Sequence, residues 1–159
     1  MQLEELLEDG KGKYQWDLCL DETERCHFTT PSGTDLTLEK GPEPGTFSLY
    51  TIIGKLCPTS TMQYFITLLE ANLFRQKTGK AQFGYDTSAQ NVVLFQEFIE
   101  DHTTTESLLN DISLFISYME YWKEELEMGS EAIHNNEIHL MDGQITSLIG
   151  KQNKKLFFV

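Results

Sequence analysis

A helix with apolar side chains on two opposite faces is the feature that most constrains this fold. Residues 60–74, STMQYFITLLEANLF, begin with a capping box in which Ser60 and Gln63 satisfy each other's free backbone N–H groups. Two apolar sets lie about 200° apart on this helix, the first being Met62, Phe65, Ile66, Leu69 and Leu73 and the second Tyr64, Leu68 and Ala71. We therefore expect the first set to pack on a sheet and the second to face another subunit. The alternative is burial of both sets between elements of one chain.

Short alternating segments on either side of this helix predict the sheet. Residues 25–30, 34–40 and 46–53 are separated by turn sequences rich in proline and glycine, PSG and GPEPG. Two further strands, 80–86 and 91–99, form a hairpin after the helix. The last of these strands is apolar on both faces, which is typical of an inner strand.

Two more helices complete the predicted order. Leucines at positions 3, 6 and 7 predict a short helix over residues 2–9, which must dock on the rest of the chain to persist. A capping box at Thr103 and Glu106 opens a long helix that we expect to end at about Met128, before Gly129. The order α-β-β-β-α-β-β-α predicts an α+β domain with a twisted antiparallel sheet and helices packed on it.

The last thirty or so residues allow two interpretations. We assign residues 1–128 to the α+β domain and residues 129–159 to a C-terminal extension. The extension has the pattern of a small hairpin, with Ile138 and Leu140 in one strand and Asp142-Gly143 in the turn. Equally, it is consistent with a tail that becomes ordered only on a partner.

Charge excludes two classes of partner. The 159 residues contain 12 Lys and Arg against 25 Asp and Glu, a formal net charge of −13. Such a chain repels phosphate backbones and anionic lipid, so neither nucleic acid nor a membrane surface is an expected partner. The acidic start, MQLEELLEDG, does not resemble a signal peptide, and the scattered Cys19, Cys26 and Cys57 predict no disulfide framework. We therefore expect a cytoplasmic protein.

No motif in the sequence predicts catalysis, a cofactor or a metal site. Thr78-Gly79-Lys80 suggests a phosphate-binding loop, but Phe74 stands where the first glycine is needed and Ala81 where a hydroxyl is needed. The histidines are far apart in sequence except for His134 and His139, whose spacing of five residues would make them diverge on a helix, so no metal site is predicted. Paired acids, such as Glu100 and Asp101, lie at the ends of elements, so we expect them to be solvated. The sequence thus favours a protein that binds polypeptide rather than an enzyme.

The segment from residue 68 to residue 86 resembles the signature of class I type III secretion chaperones of the CesT (Tir chaperone) type. It reads LLEANLF, then Gly79, then a strand that ends at Asp86. Further similarity occurs in the family's order in LCLDE at 18–22, LYTIIGKL at 49–56 and YMEYWKEEL at 118–126. The resemblance extends over about residues 2–128. It departs from the family pattern at residues 75–80, RQKTGK, where the family often has more glycines, and in the added extension.

The resemblance implies a bacterial virulence chaperone. It implies a homodimer, or a heterodimer of related chaperones, joined mainly through the second helix and a neighbouring strand. Each subunit would hold an extended N-terminal segment of a secreted effector, which gains main-chain hydrogen bonds at a strand edge and places alternate side chains in pockets. The chaperone would keep the effector soluble and export-competent without a cofactor, and release would be left to the ATPase of the secretion machinery.

Specific residues follow from these expectations. For effector contact we predict the apolar side chains of the first helix and the first three strands, Leu3, Leu6, Leu7, Phe28, Leu36, Leu38, Phe47 and Leu49, for several of which an ordinary place in the core is the alternative. For the dimer we predict Tyr64, Leu68 and Ala71, with Phe83 and Tyr85 from the neighbouring strand. The alternative function is a regulatory adaptor of the same fold that binds a transcription or secretion-control protein, using an aromatic stripe at Leu114, Tyr118 and Tyr121.

Overall fold

The computed structural model describes residues 2–13, 18–56 and 62–141, with side chains described as far as Glu127. Within this part, the chain divides into two compact units at Lys123 and Glu124. The predicted Ser60 capping box, Cys57 and the Asp142-Gly143 turn lie outside the described residues. The first unit carries the sheet, and the domain boundary that we predicted at residue 128 stays a prediction.

A five-stranded antiparallel sheet forms the centre of the first unit. Its strands are β1 (Arg25–Thr29), β2 (Asp35–Lys40), β3 (Thr46–Lys55), β4 (Gln82–Asp86) and β5 (Asn91–Ile99). They are ordered β1-β2-β3-β5-β4. The predicted α+β class, the antiparallel sheet and the inner position of β5 are therefore confirmed. The two edges of the sheet belong to short strands, β1 and β4.

Three helices accompany the sheet: α1 (Leu3–Gly10), α2 (Met62–Asn72) and α3 (Thr105–Met141). A 3₁₀ turn, Leu73–Arg75, follows α2, and another, Glu100–His102, precedes α3. Helix α3 continues through Gly129, so the predicted helix end and the predicted strand at Ile138 and Leu140 are wrong. One glycine costs a helix interior only about 1 kcal/mol relative to alanine, and no proline follows to stop the helix.

Alternate residues of the strands bury one face of the sheet. On β3 and β5 these are Phe47, Leu49, Thr51, Ile53, Val92, Leu94, Gln96 and Phe98. The rings of Phe47 and Phe98 stack at 4.8 Å between centroids. Trp122 of α3 packs edge-on against Phe83 of β4 at 5.0 Å. Helix α3 buries one apolar stripe, whose members lie three or four residues apart: Leu108, Ile112, Phe115, Met119 and Trp122.

Helix α1 is held by its leucines and by three polar contacts. Leu3, Leu6 and Leu7 are 0–2 % exposed. The Leu3 backbone N–H donates to the Glu100 carboxylate at 2.9 Å, and the Gln2 N–H donates to Glu5 at 3.0 Å. Lys40 of β2 forms an ion pair with Glu4 at 2.6 Å. The expectation that so short a helix must dock to persist is confirmed.

Candidate protein-binding surfaces

Helix α2 buries within its own chain two members of the apolar set that we expected to face another subunit. Ala71 is 0 % and Leu68 6 % exposed, whereas Met62 is 76 %, Leu69 67 % and Leu73 59 % exposed. The predicted assignment of the two faces is therefore reversed for these residues. We call the exposed residues Met62, Ile66, Leu69 and Leu73 the α2 stripe. Their spacing of four, three and four residues is that of a helix–helix packing seam.

The small side chain of Ala71 and the amide of Asn72 account for the reversal. A small residue allows the helix to approach its neighbours closely, and Asn72 binds the main chain of Phe83 in β4. The Phe83 N–H donates to Asn72 Oδ1 at 2.7 Å, and Asn72 Nδ2 donates to the Phe83 carbonyl at 3.2 Å. A second contact with β4 comes from Phe65, whose ring packs edge-on against that of Tyr85 at 5.2 Å between centroids. These contacts orient the Leu68 and Ala71 face inward and leave the α2 stripe in solvent.

The α2 stripe ends in a conformationally strained aromatic residue. Phe74 is 82 % exposed and has φ 56° and ψ 12°, and Arg75 has φ 56°. A left-handed conformation costs a non-glycine residue on the order of 1–2 kcal/mol, and an exposed phenyl ring gains nothing from burial in the chain itself. Both features therefore favour a role for Phe74 in contacts with another molecule.

The loop that contains Thr78-Gly79-Lys80 is fastened to α3. Trp122 Nε1 donates to the Lys77 carbonyl at 2.9 Å. Lys80 Nζ binds both carboxylate oxygens of Asp111 at 2.9 Å. Gly79 has φ +61°, and a Cβ at this position would lie 2.6 Å from the Tyr118 ring. The lysine and glycine that suggested phosphate binding thus join the end of α2 to α3.

The second face of the sheet carries a smaller apolar patch. Strand register places Tyr50 beside Phe95 and Ile52 beside Val93. Ile52 is 52 % exposed, and the other three side chains are half-buried. Gly84 of β4 makes room for the Phe95 ring, which lies 3.4 Å from the position of a Cβ on that glycine. This face is more polar toward β1, where Arg25 donates to Glu39 at 2.8 Å.

Two charged groups on β2 organise the surface around β1. The Arg25 hydrogen bond, together with that from the Tyr50 hydroxyl, holds the pKa of Glu39 below its ordinary value of 4.5. Lys40 lies between Glu4 and Glu24, and its hydrogen bonds to these carboxylates raise its pKa. These exposed pairs position side chains more than they stabilise the fold, because solvent screens them.

The residues predicted for effector contact lie in the core. Leu3, Leu6, Leu7, Leu36, Leu38, Phe47 and Leu49 are at most 2 % exposed, and Phe28 is 7 % exposed. A polypeptide that docks on the folded chain would therefore meet the side chains and main chain beside them. Of the residues predicted for the dimer, Phe83 is 9 % exposed, and Tyr64 and Tyr85 are half-buried. Sequence patterning missed the α2 stripe as an open surface because both faces of α2 are equally apolar.

Neither a metal site nor a membrane span is present in the described part of the chain. No group of three or more His, Cys, Asp or Glu side chains among residues 2–13, 18–56 and 62–127 is arranged to hold a metal ion. The helices α1 to α3, as far as they are described, are too short or too polar to cross a bilayer.

Comparisons with known proteins agree on one family. Over 72 residues the chain is 32 % identical to the Tir chaperone of Citrobacter freundii, a match that covers 45 % of this chain and 46 % of that protein. The chain thus spans about half the length of this curated relative. The fold is similar to that in the HopA1–SchA chaperone–effector complex, with a TM-score of 0.61 at 17 % identity over 76 % of this chain and 91 % of that one.

The fold also matches the Yersinia pestis type III secretion chaperone SycH, solved in complex with a fragment of YscM2. The TM-score is 0.58 at 16 % identity, over 74 % of this chain and 97 % of that one. The model of the Tir chaperone protein (CesT) family matches residues 5–123, which include α1 from Glu5 onward, the whole sheet, α2 and the first half of α3. The chain therefore belongs to the Tir chaperone protein (CesT) family and has the fold of the type III secretion chaperones.

Proposed function

We propose that this protein is a cytoplasmic type III secretion chaperone that binds an extended N-terminal segment of a secreted effector and keeps it soluble and export-competent. The observation that carries the proposal is the family match over residues 5–123, which coincides with the unit that holds the sheet. The exposed apolar groups on α2 and on the open face of the sheet support polypeptide binding rather than catalysis. The net charge of −13 favours solubility of the chaperone with its cargo.

A second copy of the chain, or a related chaperone, is the proposed partner of the α2 stripe. Met62, Ile66, Leu69 and Leu73 form an uncharged seam at coiled-coil spacing, and Phe74 extends it. Leu68 and Ala71 were the predicted dimer residues, and their burial within the chain favours the opposite face of α2 for this role. Tyr64, Phe83 and Tyr85 stay secondary candidates.

Co-expression with a secreted protein encoded beside its gene tests the proposed function. We expect a stable complex in which limited proteolysis protects an N-terminal segment of the secreted protein. We also expect that segment to remain soluble only in the complex, and to show no cooperative unfolding transition of its own. Protection of a folded globular domain instead, with its N-terminus left sensitive to protease, would contradict effector chaperoning.

Variants on two surfaces of the chaperone distinguish the second candidate function, a regulatory adaptor, from effector chaperoning. Leu114 and Tyr121 on α3 are 57 % and 51 % exposed, and Tyr118 lies half-buried between them. If a folded regulatory protein binds, Leu114→Glu should weaken the complex while Leu69→Glu leaves its one-to-one contact intact. If an effector segment binds, Leu114→Glu should leave the affinity unchanged.

A further inference from the structure

Lys123 of α3 carries a positive charge that none of the described carboxylates balances. It is half-buried and forms no ion pair among residues 2–13, 18–56 and 62–127. Lys55 and Arg75 also form none there, but both are exposed, so water solvates their charges. The ion pairs of this part of the chain engage other cations, namely Lys11, Lys13, Arg25, His27, Lys40 and Lys80. A half-buried ammonium loses part of its hydration and is therefore stabilised by an opposite charge that reaches it.

The Lys123 ammonium is directed at a neutral hydroxyl. Among the described residues it donates a hydrogen bond only to Thr34 Oγ1, at 2.9 Å. Thr34 is 7 % exposed and lies in the turn between β1 and β2, so this bond joins α3 to that turn. Glu120 lies three residues before Lys123 on the same helix, a spacing that permits an ion pair, yet the two do not pair. The ammonium thus keeps two N–H groups without an acceptor in the described part of the chain.

The turn between β1 and β2 fixes the position of the Thr34 hydroxyl. The Thr30 N–H donates to the Thr34 carbonyl at 2.9 Å, and the Thr34 N–H donates to Thr30 Oγ1 at 3.1 Å. Thr30 is 4 % exposed, and its hydroxyl also contacts Ser32 Oγ at 2.8 Å. Thr34 Oγ1 accepts from Lys123, and no residue in the described ranges accepts the Thr34 O–H. Free donors of two kinds, ammonium and hydroxyl, therefore lie on atoms 2.9 Å apart.

Two adjacent donors that lack acceptors favour an anion. A carboxylate has two oxygens and can bridge the Lys123 ammonium and the Thr34 hydroxyl, whereas a peptide carbonyl brings one oxygen and no charge. Hydrogen bonds between charged groups are about twice as strong as those between neutral groups. Over the chain as a whole, the formal charge of −13 repels an acidic side chain. An acidic residue of a bound polypeptide is therefore favoured beside Lys123 and disfavoured over much of the remaining surface.

We propose that Lys123 and Thr34 form a binding site for the carboxylate of an Asp or Glu side chain in the bound secreted segment. The site selects an acidic residue at one point of the segment and holds that point beside the turn between β1 and β2. The inference rests on the proposed function, since the secreted segment supplies the carboxylate. Thr30 is a positioning residue, because its N–H and its hydroxyl hold the main chain of Thr34.

A matched pair of lysine variants tests the site by affinity. Lys123→Met removes the charge and keeps an apolar stem of similar length, whereas Lys123→Arg keeps the charge. The probe is the N-terminal segment of the secreted protein that co-expresses with the chaperone, titrated into each full-length variant by calorimetry. We expect Lys123→Met to bind the segment about tenfold more weakly than the unmodified chaperone, and Lys123→Arg to stay within about threefold of it. Unchanged affinity in Lys123→Met, or an equal loss in both variants, would overturn the proposal.

A double-mutant cycle identifies the carboxylate that the site holds. Each Asp of the segment is replaced by Asn and each Glu by Gln, one at a time, and each segment is titrated into the unmodified chaperone and into Lys123→Met. We expect one replacement to weaken binding about tenfold when Lys123 is present and to change it little in Lys123→Met. If no replacement couples to Lys123, the site is wrong while the chaperone function stands. If no secreted protein binds at all, the proposed function falls and the inference falls with it.

Thr34→Val tests the hydroxyl and keeps the lysine. We expect about threefold weaker binding, with coupling to the same acidic residue of the segment. Ser32→Ala is the matched control, because it removes a hydroxyl of the same turn and leaves the bond between Lys123 and Thr34 in place, so it should bind with unchanged affinity. Equal affinities of Thr34→Val and Ser32→Ala would overturn the two-group site. If Lys123→Met does not fold, the coupling measured with Thr34→Val decides.

Discussion

At the scale of single residues, Gly79 shows how close packing restricts a surface loop. Its φ of +61° favours glycine, and the Tyr118 ring occupies the space of a Cβ. Gly45 has a similar φ of +76°, but nothing lies within 4 Å of a Cβ there. The two positions therefore separate the backbone cost of a substitution from its packing cost.

Gly79→Ala should destabilise the protein more than Gly45→Ala. The backbone cost is about 1–2 kcal/mol for either variant, and the clash with Tyr118 adds about 1–3 kcal/mol at residue 79. Urea unfolding of both variants measures the difference. Adding Tyr118→Ala to each of them should remove the excess at residue 79, and an excess that persists would place its cause outside the Tyr118 ring.

Glu39 makes the stability depend on pH. Its pKa is lowered from 4.5 chiefly by the hydrogen bond from Arg25, so its folded-state pKa lies below that of the unfolded chain. The stabilisation is therefore complete above about pH 4.5 and is lost as pH falls through the lowered pKa. Glu39→Gln should reduce the urea midpoint at pH 7, and the difference from the unmodified protein should shrink by pH 3. A difference that is constant with pH would assign the effect to packing of the side chain.

At the scale of elements, α2 separates stability from association. Leu68 and Leu69 are neighbours in sequence, but the first is 6 % and the second 67 % exposed. The buried face packs toward β4, to which Asn72 binds, while Met62, Leu69 and Leu73 of the α2 stripe are more than half exposed. Substitutions on the two faces should therefore change different properties.

Leu69→Glu should yield monomers that stay folded, because it places a charge in the proposed seam and not in the core. Leu68→Ala should lower the free energy of unfolding by about 2–4 kcal/mol through the lost burial and the cavity left behind. Sedimentation and far-UV circular dichroism of both variants measure the two effects. A folded dimer of unchanged affinity in Leu69→Glu would move the interface away from this stripe.

At the scale of the whole molecule, charge opposes self-association. Each chain carries a formal charge of −13, so two copies repel one another over distances comparable to the Debye length, about 10 Å at 0.1 M salt. The α2 stripe offers only apolar contacts. Added salt should therefore strengthen association through this stripe, because salt screens the repulsion between the two chains and does not weaken apolar contacts as it would weaken ion pairs.

The dimer dissociation constant should fall as salt rises from about 20 mM to about 500 mM, because salt screens the repulsion between the two acidic chains. Analytical ultracentrifugation over this range measures it, with Leu69→Glu as the monomeric reference. A dissociation constant that rises with salt would indicate an interface held by ion pairs, and would argue against the α2 stripe.

Much of the fold follows from the sequence alone. Alternation and turn residues determined the five strands, and the spacing of Leu3, Leu6 and Leu7 determined a helix that had to dock. These signals are local, since a period of two or of 3.6 residues depends only on neighbours in the chain. The order of elements and the LLEANLF segment were also enough to indicate the family.

Tertiary structure decided which apolar surface stays open. Periodicity distinguishes apolar from polar faces, but α2 has two apolar faces, and the choice between them depends on Ala71 packing and on the bonds between Asn72 and Phe83. The glycine at position 129 also failed to predict where α3 ends. One glycine destabilises a helix only slightly, and the helical residues on both sides of Gly129 outweigh that cost. The bonds between Asn72 and Phe83 likewise join groups that only the folded chain brings together.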